Sequence, residues 1–174
     1  MAIRRAAPAD LPQLARMRRR LLPDEDGKAL DRELPAMLAA DESCAVFVAE
    51  AENALSGFVE VGVRSHAEGG PDGPAAYIEG IWVEPERRRR GIAGALLAAV
   101  EAWARDRGLA WLGSDALIDN ALSHAWHEAA GFAEIERLVR LRQAARLTRQ
   151  RAARRSPSSP RSASRRPGAS ASAA

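Results

Sequence analysis

The chain has 174 residues, of which 47% are hydrophobic and one is cysteine, so it suits one domain with one core, forms no internal disulfide, and contains no run of about 18 apolar residues to cross a bilayer. Its formal net charge of +3 hides an asymmetry: Thr148 to Ala174 carries seven arginines and no acid, and without them 19 basic residues face 23 acidic ones over 1–147, a net charge of −4. An acidic body is a poor surface for nucleic acid and a good collector of a polycation.

In chain order, residues 2–6 read as a short strand with Ile3 inward. Pro8-Ala9-Asp10 opens a helix with Leu11, Leu14, Met17 and Leu21 on one stripe, and Pro23 ends it. Beyond the loop Asp24-Glu25-Asp26-Gly27, Leu30, Leu34, Met37 and Leu38 mark a second helix. Ala45 to Ala49 is a buried strand, and Cys44 before it reads as a small buried hydrophobe rather than a nucleophile. Glu52-Asn53-Ala54 turns the chain into a second strand, Leu55 to Arg64, making a hairpin. His66 to Pro74, rich in glycine and proline, is a long loop.

A central strand follows, in which alternation puts Tyr77, Glu79, Ile81 and Val83 on one face and Ile78, Gly80 and Trp82 on the other; Pro85 stops it. Residues 91–107 form a helix with Ile92, Leu96, Val100 and Trp103 at helical spacing, capped by Gly108. Ala110 to Asp115 is a further strand, Asp119 a candidate cap for a helix ending at Gly131-Phe132, and Ile135 to Leu141 a closing strand. From Arg142 the apolar pattern fails. The expected organisation is therefore one domain over 1–147 and a disordered Arg/Ser/Pro/Ala-rich tail over 148–174. No charged-then-apolar leader opens the chain, so a cytoplasmic location is expected.

The stretch with chemistry is the turn after the central strand. Arg87 to Arg90 run into a helix whose first turn is Gly91-Ile92-Ala93-Gly94. Small residues let a ligand approach the backbone, and the first N–H groups of a helix lack partners. With the helix dipole and four arginines, this is a site for an anion, a pyrophosphate foremost. The spacing is neither Gly-x-Gly-x-x-Gly nor a P-loop. The competing reading of the loop alone is a solvated basic turn, and Glu79, an acid in an otherwise apolar strand just upstream, weighs against it.

Arg88-x-x-Gly91-x-Ala93 after a strand and a Pro85 turn resembles the acetyl-coenzyme A loop of the GCN5-related N-acetyltransferases. Asn120, followed by Trp126-His127-Glu128-Ala129-Ala130-Gly131-Phe132, is similar to the helix and Gly-Phe ending of that superfamily, so the resemblance covers residues 2 to about 142. Ile78-Glu79-Gly80-Ile81-Trp82-Val83, Ser114-Asp115, Asn120, His127, Gly131-Phe132 and Glu136 look, more narrowly, like the aminoglycoside 6'-N-acetyltransferases.

The resemblance implies a mixed α/β (α+β) fold, a central sheet flanked by helices, and direct acetyl transfer from acetyl-CoA to an amine in a ternary complex. Arg88, Arg89, Arg90, Gly91, Ile92, Ala93 and Gly94 would hold the diphosphate, Ile81, Trp82 and Val83 the pantetheine arm through their backbone, and Asn120 that same arm. A backbone N–H such as that of Val83 would face the thioester oxygen; such a donor supplies ~3 kcal/mol in measured analogues. Glu79 and Asp115 would bind ammonium groups and take the amine's proton, and Glu136 is a further substrate-contacting acid. His127 stands where the superfamily often has a tyrosine near the leaving thiolate, which makes it the candidate general acid. His124 and His127, at i and i+3 without a third ligand, do not make a metal site, and none is expected.

Two positions depart from the pattern: Leu22 replaces a tryptophan before Pro23, and His66 replaces a tyrosine in the loop before the central strand. By the resemblance, both would border the acceptor. The expected partners are a polycationic amine, acetyl-CoA and a second copy in a homodimer, with no membrane and no nucleic acid. The rival functions are acetylation of another primary amine (a polyamine, an amino-sugar metabolite or a protein N-terminus) and a non-catalytic protein whose basic tail binds nucleic acid.

Overall fold

The structure is a computed structural model that describes residues 1–139 apart from Asp41, Asn53 and Pro71. Its elements are β1 (Ala2–Arg5), α1 (Leu11–Leu21), α2 (Gly27–Ala39), β2 (Cys44–Ala51), β3 (Ala54–Arg64), β4 (Ala75–Val83), α3 (Ile92–Asp106), β5 (Leu112–Ser114) and α4 (Ala121–Ala129). The strands make one sheet in the order β1-β2-β3-β4-β5. The first three pairings are antiparallel and β4–β5 is parallel, as the crossover through α3 requires. The mixed sheet with helices on its faces is the architecture expected from the sequence. The compact unit is Met1–Leu138; the expected boundary at 147/148 and the tail lie outside the described residues.

Helices cover both faces of the sheet, which is why its strands read as near-continuous apolar runs. Ala45, Phe47 and Ala49 of β2, with Val59 and Val61 of β3, pack under α3 against Ile92, Leu96, Val100 and Trp103. Val46, Val48 and Phe58 face the other way, onto Leu14 and Met17 of α1 and Leu34 of α2. Each such side chain contributes about 1.5–3 kcal/mol of burial. The α1 stripe falls where periodicity places it. Asp26 caps α2 by accepting from the Lys28 N–H, so this helix begins within the segment read as a loop.

The alternation read in β4 is broken by a β-bulge. Val61 pairs with Ile78 but Glu60 with Gly80, which leaves Glu79 as the extra residue. Before the bulge Ala76 and Ile78 pack beneath α3; after it Ile81 and Val83 do. Tyr77 is therefore not on the face of Ile81 and Val83, contrary to strict alternation. One inserted residue exchanges the two faces downstream.

Three other expectations are corrected. β5 is three residues long rather than six. Asn120, not Asp119, caps α4, its side chain accepting from the Ser123 N–H at 3.1 Å. Residues 133–139 form no strand, and Ile135, Leu138 and Val139 are exposed. A strand needs a neighbour to pair with, and β5 offers only a short edge; the last two residues of the expected strand are outside the described ones.

Candidate active site

β5 pairs with β4 only from Ala76↔Leu112 to Ile78↔Ser114. Beyond Ile78 the same edge of β4 has no strand beside it among the described residues, so pairing stops short of Glu79 and leaves an opening there. The backbone of Ile81, Trp82 and Val83, expected to meet a pantetheine chain, lies along that unpaired edge.

Gly91 precedes α3 with φ of 78°, a left-handed conformation that glycine adopts without strain. It is exposed, as is Gly94, and a Cβ at either position would meet nothing within 4 Å. The space over the helix start is therefore open. The Ala95 N–H returns to the Gly91 carbonyl, while the N–H groups of Ile92, Ala93 and Gly94 belong to the first helical turn, which has no intrahelical acceptors. Arg89 and Arg90 are exposed beside them. Arg88 is used differently: its Nε donates to the Val83 carbonyl at 3.0 Å and its guanidinium lies 5.0 Å from the Trp82 ring, tying the loop to the end of β4. An open cradle of amide donors with two exposed arginines fits a diphosphate.

The acidic side of the opening is a linked cluster. Arg64, the last residue of β3, donates from Nε and Nη2 to the two oxygens of Glu79 at 2.9 and 2.6 Å. Its guanidinium lies 3.3 Å from the centroid of the Tyr77 ring. The Tyr77 hydroxyl donates to Asp115 at 3.2 Å. Burial, reinforced by Asp115, pushes the Tyr77 phenol up to about 12, so it remains a neutral donor. Glu68, in the loop after β3, adds its negative charge to the field at Tyr77. Glu79 is thus both paired and wetted, its side chain 38% exposed.

The strand carboxylate that truly lies in the core is Glu60, 3% exposed. Burial, opposed by Arg18 and reinforced by Glu33, raises it to about 7. Arg18 Nε sits 2.9 Å from Glu60 Oε1 without an in-line N–H, while its Nη1 donates to the Leu30 carbonyl at 2.8 Å and lies 3.0 Å from Glu33. This buried arginine joins α1 and α2 to β3 beside the bulge.

His127 is fixed from both ends. Nδ1 lies 2.8 Å from the Ser123 carbonyl, which only accepts, so the proton is assigned to Nδ1. Nε2 then meets Ser114 Oγ at 2.9 Å. Phe132 and Trp126 pack edge-on against the ring. The Gly131 N–H bonds to Glu128 and the Phe132 N–H to His127 in a Schellman turn, as the Gly-Phe ending predicts. Ser114 immediately precedes Asp115, so the residue that holds the histidine and the first residue of the acidic cluster are neighbours along the chain at the end of β5.

The structure thus links Glu79 to Asp115 through Arg64 and Tyr77, with Glu68 nearby, and His127 to Ser114; sequence reasoning gave no role to Arg64, Tyr77 or Ser114. Leu22, His66 and Glu136 are not held by contacts of that kind. Leu22 is the C-cap of α1; its neighbour Leu21 reaches Gly80, where a Cβ would come within 2.9 Å. His66 is exposed, beside Ser65 and 3.8 Å from Glu68, and Glu136 is exposed on the irregular stretch. Asn120 serves its helix cap. The missed residues did carry signals: Tyr77 is the only tyrosine in the chain, and Ser114 adjoins a candidate acid.

Residues 11–132 match the model of the acetyltransferase (GNAT) family. The aminoglycoside N(6')-acetyltransferase type 1 of Stenotrophomonas maltophilia is 39% identical over 141 residues, covering 80% of this chain and 91% of that enzyme. The enzyme of the same name from Acinetobacter genomosp. 13 is 38% identical, covering 71% and 84%. Among solved structures, the apo aminoglycoside 6'-N-acetyltransferase AAC(6')-IG of Acinetobacter haemolyticus superposes with a TM-score of 0.77 at 28% identity, covering 84% of this chain and all of that one. AAC(6')-Iy in complex with a bisubstrate analog, CoA-S-monomethyl-acetylneamine, superposes with a TM-score of 0.76 at 32% identity, covering 83% and 98%.

Proposed function

The chain belongs to the acetyltransferase (GNAT) family, and on that premise we propose that it transfers acetyl from acetyl-CoA to the 6'-amino group of aminoglycoside antibiotics, the reaction that its relatives are named for. The observation that carries this reading is the edge of β4 beyond Ile78, where β5 no longer pairs with it. It opens beside an amide cradle at one end and carries carboxylates on the other.

Bound acetyl-CoA supplies an acyl group on a thiolate leaving group. The amides of Ile92, Ala93 and Gly94, with Arg89 and Arg90, hold its diphosphate, and the free edge of Ile81, Trp82 and Val83 orients its arm and offers an N–H to the thioester oxygen. Glu79 and Asp115 draw in the ammonium groups of the acceptor and take the proton that its amine must lose before attacking. The neutral Tyr77 hydroxyl orients Asp115. His127 is the general acid for the departing sulfur in the form that carries a proton on Nε2 as well as on Nδ1; the Ser114 hydroxyl, within hydrogen-bond reach of Nε2, then takes that proton as it passes its own to the sulfur. With no nucleophile placed to carry the acetyl group among the described residues, the amine attacks directly, and alignment of the two substrates supplies the rate.

A homodimer in the cytoplasm belongs to the same reading. The exposed apolar side chains Leu117, Ile118, Leu122, Ile135 and Leu138 support an interface, and no helix among the described residues is long and apolar enough to cross a membrane. Release of free thiol from acetyl-CoA, measured against a panel of aminoglycosides, tests the reaction. Kanamycin-type acceptors with a 6'-amine are turned over, and those with a 6'-hydroxyl are not. Equal rates on both, or turnover of spermidine alone, overturn the assignment.

A further inference from the structure

Arg64 ends β3 and lays its guanidinium on the groups proposed to receive the acceptor. It donates to both oxygens of Glu79, at 2.9 and 2.6 Å, and stacks on Tyr77 at 3.3 Å, while Asp115 acts on it from across the ring. A bidentate carboxylate, an aromatic face and a second carboxylate are the contacts that an organic cation seeks. The protein therefore satisfies its own cation site.

We propose that Arg64 is an internal stand-in for the acceptor's ammonium group, occupying the seat between Glu79 and Tyr77 in the free enzyme and leaving it when a polycation binds. The inference rests on the acetyl transfer proposed above and deepens it, because it names what the enzyme demands of an acceptor.

Geometry makes the exchange feasible. The side chains of Arg64 and Glu79 are 39% and 38% exposed, so water already competes for their pair. The Arg18–Glu60 pair is the contrast: its side chains are 8% and 3% exposed, and Arg18 is also bonded to a backbone carbonyl, so it stays in place. Arg64 is the last residue of its strand, next to a loop, and its side chain can swing to solvent without breaking the ladder. Charge then sets the selectivity. An acceptor with one ammonium exchanges one cation for another and gains little at Glu79. An acceptor with several brings more positive charge than it displaces, and Asp115 and Glu68 are within electrostatic reach to receive it.

The variants Arg64→Ala and Arg64→Gln test this, with acetyl-CoA saturating and kanamycin or 6-amino-6-deoxyglucose, which carries one ammonium, as acceptor. In both variants KM for kanamycin falls about three- to fivefold, the worth of a half-exposed ion pair, with kcat nearly unchanged. Turnover of 6-amino-6-deoxyglucose rises by a similar factor. Methylguanidinium chloride, compared with sodium chloride at equal ionic strength, inhibits Arg64→Ala competitively against kanamycin and the parent protein far less, because the added ion refills the vacated seat. A KM unchanged or raised in both variants overturns the proposal, as does equal inhibition of variant and parent. Calorimetric titration of kanamycin into the parent and Arg64→Ala needs no turnover: tighter binding to the variant supports the stand-in, and equal or weaker binding refutes it. Absence of turnover in the parent with every aminoglycoside refutes the reaction instead, so the two failures are distinct.

Discussion

At the scale of single residues, the site is a set of charges whose worth depends on exposure. Glu79 lies at a bulge, half in water, paired to Arg64. Asp115 is exposed and accepts from Tyr77. Groups in such settings exchange partners readily, as an acceptor-binding site requires. Glu79→Gln and Asp115→Asn each keep the shape and remove the charge, and each lowers kcat about 10²-fold, the usual worth of a general base. Binding of CoA, followed by titration, is unchanged in both; loss of CoA binding would show that these side chains belong to the other substrate. Glu60 differs, because α1 and α2 cover it.

At the scale of elements, two junctions decide the site: the start of α3 and the seam of α1 and α2 on β3. A Cβ at Gly94 would meet no neighbour within 4 Å, and an acid in the first turn favours the helix dipole, so in Gly94→Asp the thermal midpoint holds. The same charge faces the diphosphate, and the Kd for CoA rises at least about tenfold. At the other seam, Glu60 has its pKa raised from 4.5 to about 7 in the folded chain. Between those values the native state binds more protons than the unfolded state, so stability falls as pH rises through that window and levels off above it. Urea unfolding of the parent therefore gives a lower free energy at pH 7.5 than at pH 5 from this group. Glu60→Gln removes that slope. A slope unchanged in the variant would assign it to other groups.

At the scale of the whole molecule, charge is divided along the chain. Residues 1–147 carry a net charge of −4, and the tail over 148–174 carries seven arginines. The family match spans residues 11–132, within the acidic part, so the proposed reaction is expected of that part alone. Removal of Thr148 to Ala174 leaves kcat/KM for kanamycin within about twofold at physiological ionic strength, where charges beyond a Debye length are screened. A fall of tenfold or more would give the tail a part in the reaction.

The sequence by itself determined the helices, the strands up to β4 and the small-residue turn that opens α3. Each depends on local pattern: apolar residues at helical or strand spacing, a proline stop, and small residues opening a helix. Gly131-Phe132 likewise marked its own cap. Tertiary structure alone decided the face and partner of each site residue. A one-residue bulge at Glu79 cannot be read from alternation, because the pattern on either side remains regular. Arg64 and Tyr77 are 13 positions apart, and Ser114 and His127 another 13, so only strand register and helix packing bring them together. Burial separates Glu60 from Glu79: both are acids in apolar strands, and what differs is that α1 and α2 close over one while the other sits at a bulge beyond the last β4–β5 pair, in water.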